Sequence, residues 1–173
     1  PFDHADLGLK AGDVIKSING VEVTPERDES ILLAGQAGKK TLVTCTDGKE
    51  YVVLPVSSSK MSDLLYDRWV KQRAADVGKW SKGRLGYVHI RSMNDGSFRP
   101  VYSDVLGKYN KCEGIVIDTR FNGGGRMHED IEILFSGQKY LTQVIRGRES
   151  CDMPSRRWNK PSIMIQCEAN YSN

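Results

Sequence analysis

Short alternations of apolar and polar residues, separated by glycine, fill the first 56 residues and are typical of small β elements. Asp13 to Ile18 alternates in this way and is followed by Asn19-Gly20, two residues that tolerate positive φ. We therefore predict a tight hairpin whose return strand covers Val21 to Val23.

The rest of this block predicts a helix and a second strand pair. Arg27 to Gly35 carries apolar residues at helical spacing and ends at a glycine, which predicts a short helix. Residues 39–45 and 50–56 are predicted as strands. Ser57-Ser58-Ser59 follows, and this cluster of small polar residues predicts a linker.

After the serines the hydrophobic period changes to that of a helix, and longer apolar runs follow. Ser62 to Gly78 predicts a helix with Ser62 as its cap. The later predictions are a strand over 84–90, a helix over 99–110, a strand over 113–120, a helix over 126–135 and a strand over 162–168. Because the apolar cores of these strands are continuous, we expect burial on both sheet faces, as in a layered α/β domain.

Composition excludes several functional classes for this chain of 173 residues. The 25 Lys and Arg residues against 22 Asp and Glu give a net charge of +3, which is too balanced to indicate nucleic acid or an anionic membrane as partner. The longest apolar runs, such as Ile115-Val116-Ile117, are far shorter than the roughly 20 residues of a membrane-spanning helix. Four cysteines without CxxC spacing argue against a zinc ribbon or a redox pair.

Neither end of the sequence resembles the natural terminus of a protein. Pro1 is not a start methionine and begins no signal-peptide pattern, and Asn173 comes shortly after a strand-like apolar run. We therefore expect an internal piece of a longer protein. The compartment stays open on this evidence.

The segment Asp118 to Gly125 carries three successive glycines between a predicted buried strand and a predicted helix. Glycines let backbone N–H groups approach a ligand closely, which suits an oxyanion hole near a helix N-terminus. A permissive strand-to-helix turn explains the same glycines, and for this motif alone it is the favoured interpretation. A phosphate-binding P-loop is set aside because no Gly-Lys-Ser/Thr follows.

Ser172 is a second candidate, because it lies directly after the last predicted strand. In α/β sheets, active groups collect at the carboxyl ends of strands. A serine hydroxyl attacks a carbonyl when a base is near, and the N–H of the next residue can help to stabilise the oxyanion. A turn or cap residue is the ordinary alternative for such a serine.

Taken in order, several blocks resemble one family. Gly8 to Val23 is similar to the second part of a PDZ domain, and "RLGYVHI" (84–90), "GIVIDTRFNGGG" (114–125) and "EANYSN" (168–173) follow. Together they resemble the tricorn-type serine peptidases, relatives of the C-terminal processing peptidases. The resemblance implies a mixed α/β fold: a partial PDZ-like domain over 1–56, a linker and helix over 57–82, and the first part of a crotonase- or ClpP-like layered catalytic domain over 83–173.

The resemblance also implies roles for particular residues. Ser172 is expected to be the nucleophile, and the backbone N–H groups of Gly125 and Asn173 are expected to form the oxyanion hole. Gln143 is expected to border the pocket for the side chain before the cut. The family's pattern implies a peptide or unfolded protein as substrate and no metal or organic cofactor. The balanced charge and the short apolar runs predict no nucleic-acid partner and no membrane span, and homo-oligomerisation is left open.

Two elements of the family's site fall outside this sequence. The catalytic histidine precedes the PDZ domain in the family, and a supporting glutamate follows the serine. His4, His89 and His128 do not occupy the histidine's motif position. We therefore expect these 173 residues to be inactive alone, since an unactivated serine is a poor nucleophile.

Alternatives remain open at this stage. A PDZ-containing scaffold that has lost its activity would bind peptides without cutting them. A crotonase-like acyl-CoA enzyme would use a similar backbone oxyanion hole, although no sequence feature indicates a CoA-binding surface. Cytoplasmic and exported relatives both exist in this family, so the sequence does not decide the location.

Overall fold

The computed structural model describes residues 7–172, which divide into two compact units at Trp69 and Val70. The first unit contains a four-stranded antiparallel sheet in the order β2-β1-β3-β4. Its elements are β1 (Ile15–Ile18), β2 (Val21–Glu22), α1 (Glu29–Leu32), β3 (Thr41–Cys45) and β4 (Glu50–Val53).

The predicted first hairpin is confirmed. Asn19 and Gly20 have φ values of 49° and 77°, and the Asn19 side chain accepts a hydrogen bond of 2.9 Å from the Leu42 N–H. The helix predicted over 27–35 is shorter than expected. The Asp28 side chain caps its first turn by accepting hydrogen bonds from the N–H groups of Ser30 and Ile31. No residue of α1 is buried, so tertiary packing does not stabilise further turns.

The prediction of a linker at Ser57-Ser58-Ser59 is wrong at the level of secondary structure. Helix α2 covers Ser58–Trp80, so the helix begins four residues before the predicted Ser62. Ser57 provides the cap, because its Oγ accepts a hydrogen bond of 3.2 Å from the Lys60 N–H. A serine cluster favours a turn and a helix start about equally, since the same hydroxyl groups serve both.

The second unit holds a parallel three-stranded sheet in the order β5-β6-β9. Its elements are β5 (Leu85–His89), α3 (Asp95–Ser103) with a π-helical turn (Asp104–Lys108), β6 (Gly114–Asp118), α4 (His128–Ser136), β7 (Leu141–Ile145), β8 (Arg148–Met153) and β9 (Ser162–Ile165). The predicted strands and helices are therefore present. Helix α3 begins four residues earlier than expected because the Asn94 side chain caps it at Ser97.

The β7–β8 hairpin was not predicted. Arg146 and Gly147 have φ values of 50° and 75° and form its turn, and Arg148 begins β8. Non-glycine residues at positive φ are uncommon, and an Arg-Gly pair gives little warning of such a turn.

Burial on both faces is confirmed for β6, whose five residues are all buried, and is wrong for β9. Ile163 and Met164 are 63% and 55% exposed. In the described part of the chain β9 is an edge strand that pairs with β6 on one side only. The core instead lies around β5 and β6 with their helices and includes Ile90, Val105, Ile115, Ile117, Ile131, Leu134 and Trp158.

Within residues 7–172, no helix combines the length and apolar character that a membrane crossing requires.

Candidate active site

The glycine loop that follows β6 is attached to the chain that follows β5. The Gly123 N–H donates to the Arg91 carbonyl at 2.9 Å, and the Met93 N–H donates to the Gly124 carbonyl at 2.8 Å. Gly125 forms an isolated parallel bridge with Met93. The loop is therefore fixed by the carboxyl end of the neighbouring strand, where parallel sheets commonly place their active groups.

Asn122 connects the glycine loop to two other segments. Its side chain is buried, with a relative exposure of 2%, and donates to the Ile90 carbonyl at 2.7 Å while accepting from the Gly124 N–H at 2.7 Å. Its carbonyl accepts from the Tyr171 N–H at 2.9 Å. One buried amide therefore sets the shape of the loop, and its own backbone holds the residue before Ser172.

Ser172 lies against Gly124. A Cβ atom placed on Gly124 would lie 2.6 Å from the Ser172 Cβ, 2.7 Å from the Tyr171 carbonyl oxygen and 3.4 Å from the Ser172 Oγ. No side chain fits in that space, so glycine is required there for the serine to approach the loop. The structure thus brings together two sequence-predicted features that are almost 50 residues apart.

The conformations of Ser172 and Gly125 are both unusual. Ser172 is exposed and has a φ of 63°, a region that non-glycine residues rarely adopt. Gly125 has a φ of 137°, and a Cβ there would overlap the Met93 carbonyl, whose carbon would be 2.8 Å away. Strained backbone of this kind is concentrated at functional sites, where the surrounding structure maintains it.

The segment that leads from β9 to Ser172, called the serine segment here, is also bonded to the start of the glycine loop through Thr119. The Thr119 N–H and hydroxyl both donate to the Ile165 carbonyl, at 2.8 and 3.1 Å. The Asn170 side chain in turn donates to the Thr119 hydroxyl at 3.3 Å. The ends of β6 and β9 are therefore held in register beyond their last paired residues.

A buried carboxylate lies at the end of β6, directly before the loop. Asp118 accepts from the Tyr87 hydroxyl at 2.7 Å and from the Arg120 guanidinium at 2.6 and 2.9 Å. Burial raises the pKa of Asp118, but the bonds from Arg120 and Tyr87 outweigh it and hold the pKa below its ordinary value. This ion pair fixes the strand end from which the loop departs.

The histidines of the described chain lie elsewhere. The Nδ1 of His89 is 4.0 Å from the Asp118 carboxylate and its side chain is 5% exposed, while His128 begins α4. Burial lowers the pKa of His89. Neither histidine lines the cavity beside Ser172 described below, and His4 lies outside the described residues.

The two remaining predicted site residues are Asn173 and Gln143. Asn173 lies outside the described residues. Gln143 is exposed on β7, where its Oε1 accepts from the Cys151 Sγ at 3.3 Å. Its role at the pocket stays a prediction. Within residues 7–172, no group of three or more His, Cys, Asp or Glu side chains could hold a metal ion.

A cavity of about 210 Å³ lies beside Ser172. Asn122 and Thr119 contribute to its wall, together with apolar side chains from three elements or their ends. Neither the cavity nor the central position of Asn122 was predicted from the sequence. The signal for Asn122 was present, since an asparagine directly before three glycines often organises a turn through its side chain.

Known proteins share this combination of sequence and fold. The profile of peptidase family S41 matches residues 84–173. Tricorn protease homolog 1 of Streptomyces coelicolor is 32% identical over all of this chain and 16% of its own length, and a putative tricorn-like protease C-terminal subunit of Sulfurisphaera tokodaii is 28% identical over 99% and 19%. A carboxy-terminal-processing protease of Bartonella bacilliformis is 27% identical over 86% of this chain and 34% of its own.

A solved structure gives the same result for the fold. The crystal structure of the tricorn protease matches 90% of this chain and 15% of its own with a TM-score of 0.66 and 23% identity. This chain therefore spans less than a fifth of the tricorn relatives described here. Because the family profile covers more than half of its residues, the chain belongs to peptidase family S41.

Proposed function

We propose that the natural polypeptide containing this chain is a serine peptidase that uses Ser172 as its nucleophile. The Ser172 Oγ attacks the scissile carbonyl carbon and its proton passes to a base. The base then gives this proton to the leaving amine as the C–N bond breaks, which leaves an acyl-enzyme. Water then cleaves the ester and restores the hydroxyl. The observation that carries the proposal is the approach of Ser172 to Gly124, at a distance that excludes any side chain.

Backbone N–H groups stabilise the oxyanion in this proposal. We assign its stabilisation to the N–H groups of Gly125 and Asn173, as the resemblance implies. The support is the rigid attachment of the loop through Asn122 and Met93, because donors held in place before the reaction cost no reorganisation. Removing one such donor typically lowers the rate by about 10²–10³.

The general base is assigned to a histidine outside these 173 residues. His89 is a poor candidate because its ring is buried beside Asp118 and contributes nothing to the cavity wall. On this proposal the 173 residues alone do not hydrolyse peptides. The complete natural polypeptide is active.

The domain organisation follows the same reasoning. We assign residues 1–56 to a partial PDZ-like domain, 57–82 to a connecting segment and 83–173 to the start of a layered catalytic domain of the crotonase or ClpP kind. The four-stranded antiparallel sheet and the parallel sheet β5-β6-β9 support this division. A PDZ-like sheet binds an extended peptide by adding it as a strand, and the substrate here is a peptide or an unfolded protein.

The test is active-site labelling of the complete natural polypeptide with a fluorophosphonate, followed by mapping of the modified peptide by mass spectrometry. We expect modification at Ser172, and no modification in Ser172→Ala. The matched control is Ser155→Ala, which removes another exposed loop serine and leaves labelling unchanged. Labelling that persists in Ser172→Ala, or that never occurs at this residue, contradicts the proposal.

A further inference from the structure

The serine segment has little burial to hold Ser172 in place. Residues 166–172 form no helix or strand, and among them only Cys167 and Asn170 are half-buried, whereas the others are exposed. Ser172 has a φ of 63°, which a non-glycine residue keeps only where neighbouring contacts impose it. The hydrogen bonds of the segment must therefore determine the position of the serine.

Asn170 closes a turn inside the serine segment. Its N–H donates to the Cys167 carbonyl at 3.1 Å, and its Oδ1 accepts from the Cys167 N–H and from the Cys167 Sγ, both at 3.4 Å. A backbone N–H can only donate, so the oxygen of the amide has to face Cys167. The nitrogen of the same amide therefore points away from the turn.

This nitrogen meets a hydroxyl group that can accept a hydrogen bond from it. The Asn170 Nδ2 donates to the Thr119 Oγ1 at 3.3 Å, while the Thr119 hydroxyl donates its own proton to the Ile165 carbonyl at 3.1 Å. Aspartate at position 170 would keep the size of the side chain but place a second acceptor beside this hydroxyl, which has one proton for two oxygens. Both the donor and the acceptor of the asparagine amide are thus used.

Asn170 and Tyr171 provide two consecutive attachments of the chain just before Ser172. Besides the side-chain bond of Asn170, the Tyr171 N–H donates to the Asn122 carbonyl at 2.9 Å. One bond would leave the segment free to turn about it, whereas two bonds from adjacent residues fix the direction in which the chain enters Ser172. This direction sets the approach to the loop, because a Cβ on Gly124 would lie only 2.6 Å from the Ser172 Cβ.

We propose that Asn170 is a positioning residue for the reaction, because its side-chain amide acts through Thr119 to hold the Ser172 hydroxyl over the glycine loop. The inference rests on the proposed peptidase function and names a further residue on which that function depends. In this role Asn170 changes the rate of the chemical step and not the affinity for the reagent or substrate, since misplacing a reacting group by about 1 Å can cost 10²-fold in rate.

Three variants and one control isolate the bond. Asn170→Asp keeps the acceptor that faces Cys167 and removes the donor, and Thr119→Val removes the hydroxyl without adding a charge. Thr119→Ser keeps the hydroxyl and tests for rescue. Asn159→Asp makes the same chemical change as Asn170→Asp at an exposed asparagine that takes part in none of these bonds.

The measurement is the labelling of Ser172 by a fluorophosphonate in the complete natural polypeptide, with kinact and KI determined separately and the urea midpoint recorded for each variant. We expect Asn170→Asp and Thr119→Val each to lower kinact by about 10- to 100-fold with KI unchanged. Combined, they should lose less than the product of the two losses, because both remove one bond. Thr119→Ser should recover most of the loss, and Asn159→Asp should label as the unmodified protein does.

The outcomes separate this inference from the proposed function. If Ser172 is not labelled in the unmodified polypeptide, the proposed function fails and the role of Asn170 fails with it. If Ser172 is labelled but Asn170→Asp matches Asn159→Asp, changes KI alone, or loses labelling only in proportion to its loss of folded protein, Asn170 is not a positioning residue and the peptidase proposal stands.

Discussion

The two sides of the candidate site differ in how firmly they are held. The glycine loop follows a strand with five buried residues and is fixed by the buried side chains of Asp118 and Asn122. The serine segment follows an exposed strand, and Tyr171 beside Ser172 is 75% exposed. Yet the serine segment is bonded to the loop at Asn122 and Thr119.

This difference indicates that the glycine loop, and not the serine segment, determines the geometry of the site. The shape of the glycine loop is preorganised, because it is determined by buried hydrogen bonds that break only when the core unfolds. The position of Ser172 is set by the contacts of its segment with the glycine loop, since the residues of the preceding strand β9 are exposed. Changes to the loop should therefore affect chemistry and stability together, whereas changes to β9 should affect neither strongly unless they reach the cavity.

The largest effect is expected for Gly124→Ala. The added methyl group would lie 2.6 Å from the Ser172 Cβ, so the serine must move away from the loop. We expect kcat/KM and fluorophosphonate labelling of the complete polypeptide to fall by at least about 10²-fold, the scale of a lost oxyanion donor. Gly147→Ala is the control, because Gly147 has a similar φ of 75° but a Cβ there meets nothing within 4 Å. Equal losses in both variants would contradict the steric argument.

Next in size is the contrast between two isoleucines on neighbouring strands. Ile117→Ala on β6 should lower the free energy of unfolding by about 2–5 kcal/mol, because Ile117 is 3% exposed in the core. Ile163→Ala on β9 should change it by no more than about 0.5 kcal/mol, because Ile163 is 63% exposed. Native-state hydrogen exchange of the β6 amides measures both. A comparable loss for Ile163→Ala would show that β9 is buried in the natural protein.

A smaller loss of stability is expected for Asn122→Ala. The substitution leaves the Gly124 N–H and the Ile90 carbonyl without their side-chain partner, at a cost of about 1–3 kcal/mol for a buried polar group. Labelling of Ser172 should fall as well, because the loop loses its internal brace. Asn159→Ala, an exposed substitution, is the control for both readouts. Normal labelling with reduced stability would limit Asn122 to a structural role.

The smallest effect concerns the dependence of stability on pH. Burial lowers the pKa of His89 below its ordinary value of 6.5; the Asp118 charge opposes this, and Arg120 and Arg91 add to it. The folded chain therefore binds this proton more weakly than the unfolded chain does, so stability is complete above pH 6.5 and declines as the pH falls below it. Urea midpoints at pH 7.5 and 5.5 should converge in His89→Gln but not in His128→Gln. An unchanged difference in His89→Gln would rule out this histidine as the cause.

The sequence predicted most of the elements near the site and missed the features that depend on tertiary contact. Strand β6 was recognisable because its apolar run is continuous, and the Asn19-Gly20 hairpin because both residues tolerate positive φ. The exposure of β9 could not be predicted, because its apolar run resembles that of β6 although β9 lies at the edge of the sheet. Local pattern carries no information on what covers a strand.

Much the same holds for the site. Glycines and a serine at strand ends were visible as candidates, and their approach at Gly124 is observed. The bonds of Asn122 to Ile90 and Tyr171 join segments that are about 30 and 50 residues away, which no local motif specifies. The catalytic roles of Ser172 and Gly125 stay predictions.

The most direct test of the central claim is a crystal structure of the complete natural polypeptide after reaction with a fluorophosphonate. The account predicts a bond from phosphorus to the Ser172 Oγ, with the phosphoryl oxygen about 2.7–3.1 Å from the Gly125 nitrogen. An adduct on another residue, or a phosphoryl oxygen directed away from the glycine loop, would contradict it.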